Sequence, residues 1–444
     1  MSLLVRADRI APTTIDEAID GMRVTGALVM ALVACGLVMV VDGFDLAAMP
    51  MTVPHMARSL GLPPASFGPA LAAVLVGMGL GAVTLAPLGD SRGRRPVAIA
   101  HLALIGLATL GTATAASLSG FIAWRLLTGL GLGGCLPNIT ALTAEISPRR
   151  MRARMMTVTG VGASLGGFVG GFVIPPLVAA GGWRAPFLFA GGLTLVLAML
   201  LFAILPESPK FLAARRPGHP AYQRLVRRLG LGNSAHYSVP PADRARVPLL
   251  ALFSPRYRLA TAVFAGIYMV NALSVYMLSS WLPTVLPRAG FSLAQGARLA
   301  GILQAGGLFG GILISLFLDR GRGTAALAGA YLCVLVALVA FSFVPANPLG
   351  WGALLLLVGG GIAGGHMALM AVGASLYPAA VLTSAVGFAV AVARIGAVGG
   401  PLLGQVLVEN GAGAQAFLLA VIVPVLVCLM GLALLSRAQQ RVSI

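Results

Sequence analysis

VTGALVMALVACGLVMVVDGFD, residues 24–45, decides the architecture of this chain. No residue from Val24 to Val41 is ionisable, and apolar sequence continues to about Met56. A helix crossing the hydrocarbon of a bilayer needs roughly 20 predominantly apolar residues, so this segment is long enough to span one. Asp42 and Asp45 then lie one helical turn apart at membrane depth. A carboxylate there costs roughly 2.5–3.5 kcal/mol by insertion scales, and such residues ordinarily face a wet cavity and serve transport. A local cap or helix break around Gly43 is the alternative reading of the same four residues.

Working outward, the pattern recurs along the whole chain. Of 444 residues 58% are hydrophobic, against roughly 45–50% in soluble domains, and mean hydropathy is +0.95. Further apolar stretches cover 69–88, 97–117, 120–144, 158–180, 187–205, 259–286, 300–318, 324–344, 349–376, 384–408 and 416–435. With the first, these predict an all-α membrane protein of twelve transmembrane helices. Strands of a membrane barrel would be shorter and would alternate polar with apolar residues.

A formal charge of +18 raises the question of a nucleic-acid partner, and the placement of the charges answers it. With both termini cytoplasmic, 24 of the 30 lysines and arginines fall in inner loops and tails. Only Arg58, Arg184, Arg288 and Arg298 fall outside, and Arg125 and Arg394 inside spans. This is the positive-inside bias of an inner-membrane protein, so the basic residues serve topology and no nucleic-acid partner is expected. Cys35, Cys135, Cys333 and Cys428 all lie in apolar spans without C-x-x-C spacing and read as small buried hydrophobes. Neither a metal site nor a cofactor is expected, and the N-terminal stretch lacks the pattern of a cleaved signal peptide.

The longest polar interruption, 206–258, is strongly basic and separates the spans six and six. The predicted organisation is a cytoplasmic tail (1–23), a six-helix bundle (24–205), a cytoplasmic central loop (206–258), a second six-helix bundle (259–436) and a short tail (437–444). Residues 222–229 are expected to form a basic surface helix within that loop. The halves echo one another: GDSRGRR at 89–95 recurs as LDRGRG at 318–323, and Gly162, Gly166 and Gly170 recur as Gly396, Gly400 and Gly404. Duplicated units of this kind place a substrate site where the repeats meet. Glycines four residues apart allow close helix packing. The short loop lets Arg94 and Arg95 bond helix-end carbonyls while Asp90 accepts from an arginine or a helix N-terminus, forming a latch, with a topology signal only as the alternative reading.

Three further motifs need a context this chain lacks. GLGLGG at 129–134 fits a dinucleotide fingerprint but continues an apolar helix after Trp124 and Arg125, where no strand-to-helix turn exists. GASLG at 162–166 fits a nucleophile elbow without an identifiable histidine partner. The sole lysine, Lys210, lies in PESPK, so there is no Walker A sequence and no ATP-driven transport by this chain alone. An enzyme is therefore not expected.

The polar residues within the spans are the candidate site. An arginine there needs a cavity or a counter-charge, and its planar fork suits a carboxylate. Arg394 has no acidic neighbour in its span and is the first candidate for a substrate anion. Arg125 is the second, with a structural pair to Asp42 or Asp45 as its alternative. Asn138, Asn271, Tyr276, Trp281, Gln304 and His366 are candidate cavity residues, each with an alternative as an inter-helix bond or interfacial anchor. His366 is also a secondary proton-carrier candidate. Glu145, beside Arg149 and Arg150, is placed at the inner gate.

The loop at 89–95, the duplicated halves and PESPKFL at 206–212 resemble the major facilitator superfamily over nearly the whole chain. DGFD at 42–45, RLLTGLGLGGCLPNITALTAE at 125–145 and SSWLP at 279–283 resemble its aromatic acid:proton symporter family. The resemblance implies the major facilitator fold and proton-coupled uptake of aromatic carboxylates. It further implies that Asp42 and Asp45 are needed for transport, and that Asp90, Gly93 and Arg94 form the signature loop, with Asp319 and Arg320 in its shortened second copy. Gly166-Gly167 stands where superfamily antiporters carry Gly-Pro, against drug export. Symport of another organic acid, such as a dicarboxylate, muconate-like or shikimate-like compound, or proton-driven export, are the alternatives. A monomer in the lipid bilayer is expected.

Overall fold

The computed structural model describes residues 14–215, 219–229, 237–238, 252–255, 257–318, 320, 323–377 and 379–442. Among these there is no β-strand. A short helix, α1 (Ile15–Gly21), precedes the first half. That half comprises α2 (Gly26–Leu60), α3 (Gly68–Thr84), α4 (Leu88–Arg92), α5 (Arg94–Thr114), α6 (Leu118–Ile146), α7 (Arg149–Gly181) and α8 (Ala185–Ile204). Two short helices follow, α9 (Pro209–Arg215) and α10 (Pro220–Leu229). The second half comprises α11 (Arg258–Val285), α12 (Leu293–Leu318), α13 (Gly323–Ala340), α14 (Pro348–Leu376), α15 (Ala379–Glu409), α16 (Ala414–Ala420) and α17 (Ile422–Val442). Twelve candidate membrane spans result among the described residues, with α16 and α17 sharing the last.

Helix ends follow from local chemistry. The Thr25 hydroxyl accepts the Leu28 N–H at 3.2 Å and starts α2; Gly61, at φ +65°, stops it. Ser117 and Asn347 cap α6 and α14 in the same way, accepting the N–H groups of Gly120 at 3.2 Å and Gly350 at 2.7 Å. Corresponding helices of the two halves thus begin on corresponding caps. Because α6 starts at Leu118, Arg125 lies two turns inside its span.

The halves pack alike. In the first, α2 lies against α7, α3 against α6, and α5 against α6 and α8; in the second, α11 lies against α15, α12 against α14, and α13 against α14 and α17. The repeated glycines form these seams. A Cβ at Gly166 would run into the Val40 carbonyl, and one at its counterpart Gly400 into the Leu273 carbonyl, so backbones touch at equivalent places in α2/α7 and α11/α15. The fingerprint-like glycines of α6 serve the same purpose, with Gly129 and Gly133 set against the Val74 and Met78 carbonyls of α3.

The bundles meet through α7 and α12, α3 and α15, and α2 and α11. Gly171 of α7 faces Ala297 and Gly301 of α12, and Gly68 of α3 faces the Gln405 side chain of α15. These contacts lie in the helix halves remote from the Asp90 loop. Near that loop α10 turns Tyr222, Leu225, Val226 and Leu229 inward and Arg224, Arg227 and Arg228 outward, matching the basic amphipathic helix expected there.

Candidate functional site

The two aspartates of α2 are helical and buried, at 5% exposure for Asp42 and 0% for Asp45. Gly43 between them does not break the helix; its missing side chain lets the Ala163 carbonyl of α7 pack against the turn. The carboxylates differ sharply in their surroundings. Asp45 Oδ2 accepts from Arg125 Nη1 at 3.0 Å, and its Oδ1 accepts from the Thr109 hydroxyl at 2.7 Å. Asp42 Oδ1 is buried and has no hydrogen-bond partner among the described residues. One carboxylate is therefore paired and satisfied, while its neighbour one turn away is not.

Arg125 is itself only 1% exposed. Its pair with Asp45 is the structural alternative weighed for it, and it still reaches the cavity wall with Nε unpartnered. Arg394, on α15, has no carboxylate partner among the described residues. Its Nη1 lies 4.0 Å from Met78 Sδ across the bundle interface.

A cavity of about 170 Å³ lies between the bundles. Leu46, Met49, Pro50, Met51, Leu71, Val74 and Leu75 form an apolar wall on the first bundle, which also supplies Arg125 and Ser164. The second bundle contributes Val275, Tyr276, Ser279, Ser280, Ala300 and Gln304. An apolar box with a few convergent polar groups suits a small ring bearing polar substituents.

The structure divides the expected substrate residues. Arg125, Tyr276 and Gln304 line the cavity. Arg394 is adjacent, contacting α3 one turn beyond Val74 and Leu75. Asn138, Trp281, Asn271 and His366 are not in its wall. Asn138 belongs to the loop cluster: its Nδ2 donates to the Ala86 and Gly134 carbonyls at 3.1 and 2.8 Å. Trp281 is fully buried, with Nε1 donating to the Pro401 carbonyl at 2.8 Å. Asn271 donates to the Ile362 carbonyl at 3.2 Å, contacts His366 Nδ1 at 3.1 Å and accepts from the Tyr331 hydroxyl at 2.9 Å. His366 stacks on Tyr268 with ring centroids 4.6 Å apart. Each of these four side chains has a partner on a neighbouring helix, which span-by-span reading does not reveal.

The charges of the loop at 89–95 are held in a network of ion pairs and hydrogen bonds that also includes Glu207. Arg94 binds Asp90 at 2.8 Å, Glu145 at 3.1 Å and Asn138 Oδ1 at 3.4 Å. Arg95 Nη2 donates to the Phe202 carbonyl. Glu207 Oε1 accepts the main-chain N–H groups of Arg94, Arg95 and Ser208 at 2.9, 3.1 and 2.8 Å, capping α5 from the end of α8. Burial pushes this carboxyl above the usual glutamate range, against the pull of those donors. Gly93 has φ +107°, and a Cβ there would run into Glu207 Oε2, so glycine is required twice over. Arg149 and Arg150 turn away from Glu145, to Asp20 at 3.2 Å and to the Met22 carbonyl at 3.3 Å.

In the second copy of the loop, Arg320 lies over the Phe317 ring at 5.9 Å, whereas Asp319 lies outside the described residues. Sequence reading passed over Thr109, which holds Asp45, and the capping by Glu207. Only the acidic residue and serine following an apolar span hinted at the cap. No group of side chains suited to a metal ion occurs among the described residues.

Two matched six-helix halves meet around a shared cavity with one buried arginine, Arg125, in its wall. The Major Facilitator Superfamily model matches residues 35–398. The gallate transporter of Pseudomonas putida is 33% identical over 96% of this chain and 94% of its own length. The 4-hydroxybenzoate transporter PcaK of Pseudomonas aeruginosa is 33% identical over 88% of each chain. Among solved structures, a bacterial homologue of the human lysosomal transporter Spinster, inward-facing and occupied, superposes with a TM-score of 0.70 at 16% identity, covering 94% of this chain and 98% of that one. A D-xylose-proton symporter gives 0.66 at 17% identity, covering 91% and 97%. The chain belongs to the major facilitator superfamily and is a multi-pass membrane transporter of that class.

Proposed function

We propose that this transporter imports aromatic carboxylates of the hydroxybenzoate type together with protons, by alternating access. The observation that carries the reading is the buried Asp42 carboxylate, unpartnered at Oδ1, one turn from the Asp45–Arg125 pair, whose arginine lines an apolar cavity shared by both bundles. The relatives named above, a gallate transporter and a 4-hydroxybenzoate transporter, support the same substrate class.

The charges inside the spans balance. Asp42 and Asp45 offset Arg125 and Arg394, so an incoming carboxylate adds one uncompensated negative charge in a poorly solvated site. A proton on Asp42, the carboxylate with no donor to lose, restores neutrality. The substrate carboxylate is drawn to Arg125 and Arg394, its ring lies on the Met49–Leu75 wall, and Tyr276 packs against it. Proton and anion thus move as a neutral pair, and the bundles rock about the contacts of α7 with α12.

In this reading the Asp90 loop and both termini are cytoplasmic, the chain acts as a monomer in the inner membrane, and the joined end of the bundles faces outward. Proton-coupled transport of this kind is secondary transport, with no enzymatic step. The test is inhibition of labelled 4-hydroxybenzoate uptake by a panel of acids. Gallate, benzoate and 4-hydroxybenzoate are expected to compete, and aliphatic dicarboxylates and shikimate are not. Competition by aliphatic acids alone would refute the assignment.

A further inference from the structure

Hydroxyl side chains inside membrane helices normally bond back to their own helix, because no water is available to satisfy them. Most here do so: Thr112, Thr128, Thr143 and Ser274 donate to the carbonyl four residues earlier at 3.0, 3.0, 2.9 and 3.1 Å. Ser279 and Ser280 of α11 have no hydrogen bond within the described residues, although Ser280 is only 5% exposed. Gln304 of α12 is likewise without a hydrogen-bond partner, and its amide packs against Gly167 of α7 at the seam between bundles. All three line the cavity on the second bundle, facing the first bundle's wall that holds Arg125.

Resting on the aromatic-acid reading, we infer that Ser279, Ser280 and Gln304 form a subsite for a ring hydroxyl and set a preference for hydroxylated over unsubstituted aromatic acids. A substrate with its carboxylate toward Arg125 points the far edge of its ring at these three groups. A ring hydroxyl satisfies donors and acceptors that an unsubstituted ring leaves unpaired. Sites built to bond a hydroxyl reject the analogue lacking it far more strongly than apolar pockets distinguish a methylene. The subsite also adds a hydroxyl contact on α11 and α12 of the second bundle to the carboxylate's contact with Arg125 of the first, which ties occupancy to closure.

The experiment compares kcat/KM for 4-hydroxybenzoate and benzoate uptake in wild type, S279A/S280A and Gln304→Leu. The wild type is expected to favour 4-hydroxybenzoate. Each variant is expected to lose about tenfold more on 4-hydroxybenzoate than on benzoate, the size of one to two hydrogen bonds. Equal losses on both acids, or an unchanged ratio, would overturn the subsite and leave these residues a packing role. Uptake of neither acid by well-expressed wild type would instead overturn the aromatic-acid reading itself.

Discussion

At the residue scale, the two aspartates of α2 separate into distinct roles. Removing charge from Asp45 strands Arg125 in a site where it is 1% exposed, and breaking a buried pair from one side costs about 3–5 kcal/mol. Asp45→Asn is therefore predicted to lower thermal stability in detergent, with Asp45→Asn/Arg125→Gln recovering part of the loss. Asp42→Asn breaks no hydrogen bond at Oδ1. It should keep wild-type stability and substrate exchange under equal concentrations, while accumulation driven by a pH gradient falls at least tenfold. A destabilised Asp42→Asn that still accumulates substrate would reverse the assignment. Sequence reading singled out both carboxylates because charge in an apolar span is conspicuous by itself, and it held the pairing of Arg125 with Asp42 or Asp45 only as the alternative to substrate binding. It could not rank Asn138 or Trp281 against Tyr276, since their roles depend on carbonyls at Ala86 and Pro401, far along the chain.

At the element scale, the seams and the latch carry the testable claims. Gly166→Leu would drive a side chain into the Val40 carbonyl, and overpacking of this kind costs about 1–3 kcal/mol; thermal unfolding of the purified protein measures it. Glu207 caps three N–H donors, so Glu207→Ala should destabilise by about 1–2 kcal/mol, whereas Glu207→Gln keeps an acceptor and should lose less. The carboxyl of Glu207 is raised in the folded state, so the folded protein takes its proton first. The cost of keeping it ionised is therefore present at neutral pH and is relieved as pH falls through the raised value. In a pH–stability series Glu207→Gln should flatten that acid-side gain. Helices were legible in the sequence because hydropathy is local, and the paired glycines at 162/396 and 166/400 exposed the repeat. The cap by Glu207 was not legible, because it joins residues 113 positions apart.

For the whole molecule, the central claim is that anion and proton cross together as a neutral pair through one cavity between two bundles. Closure opposite the Asp90 loop rests on the contact of Gly171 with Ala297 and Gly301. Gly171→Leu should wedge that end apart and slow uptake, with spectroscopic distances between α7 and α12 lengthening there. The most direct measurement is uptake of labelled 4-hydroxybenzoate into proteoliposomes, with either a pH gradient (acid outside) or a membrane potential imposed alone. The account predicts concentrative uptake under the pH gradient, collapse on adding a protonophore, and little response to potential. Uptake that follows the potential and ignores the pH gradient, or that merely equilibrates under both, would contradict it.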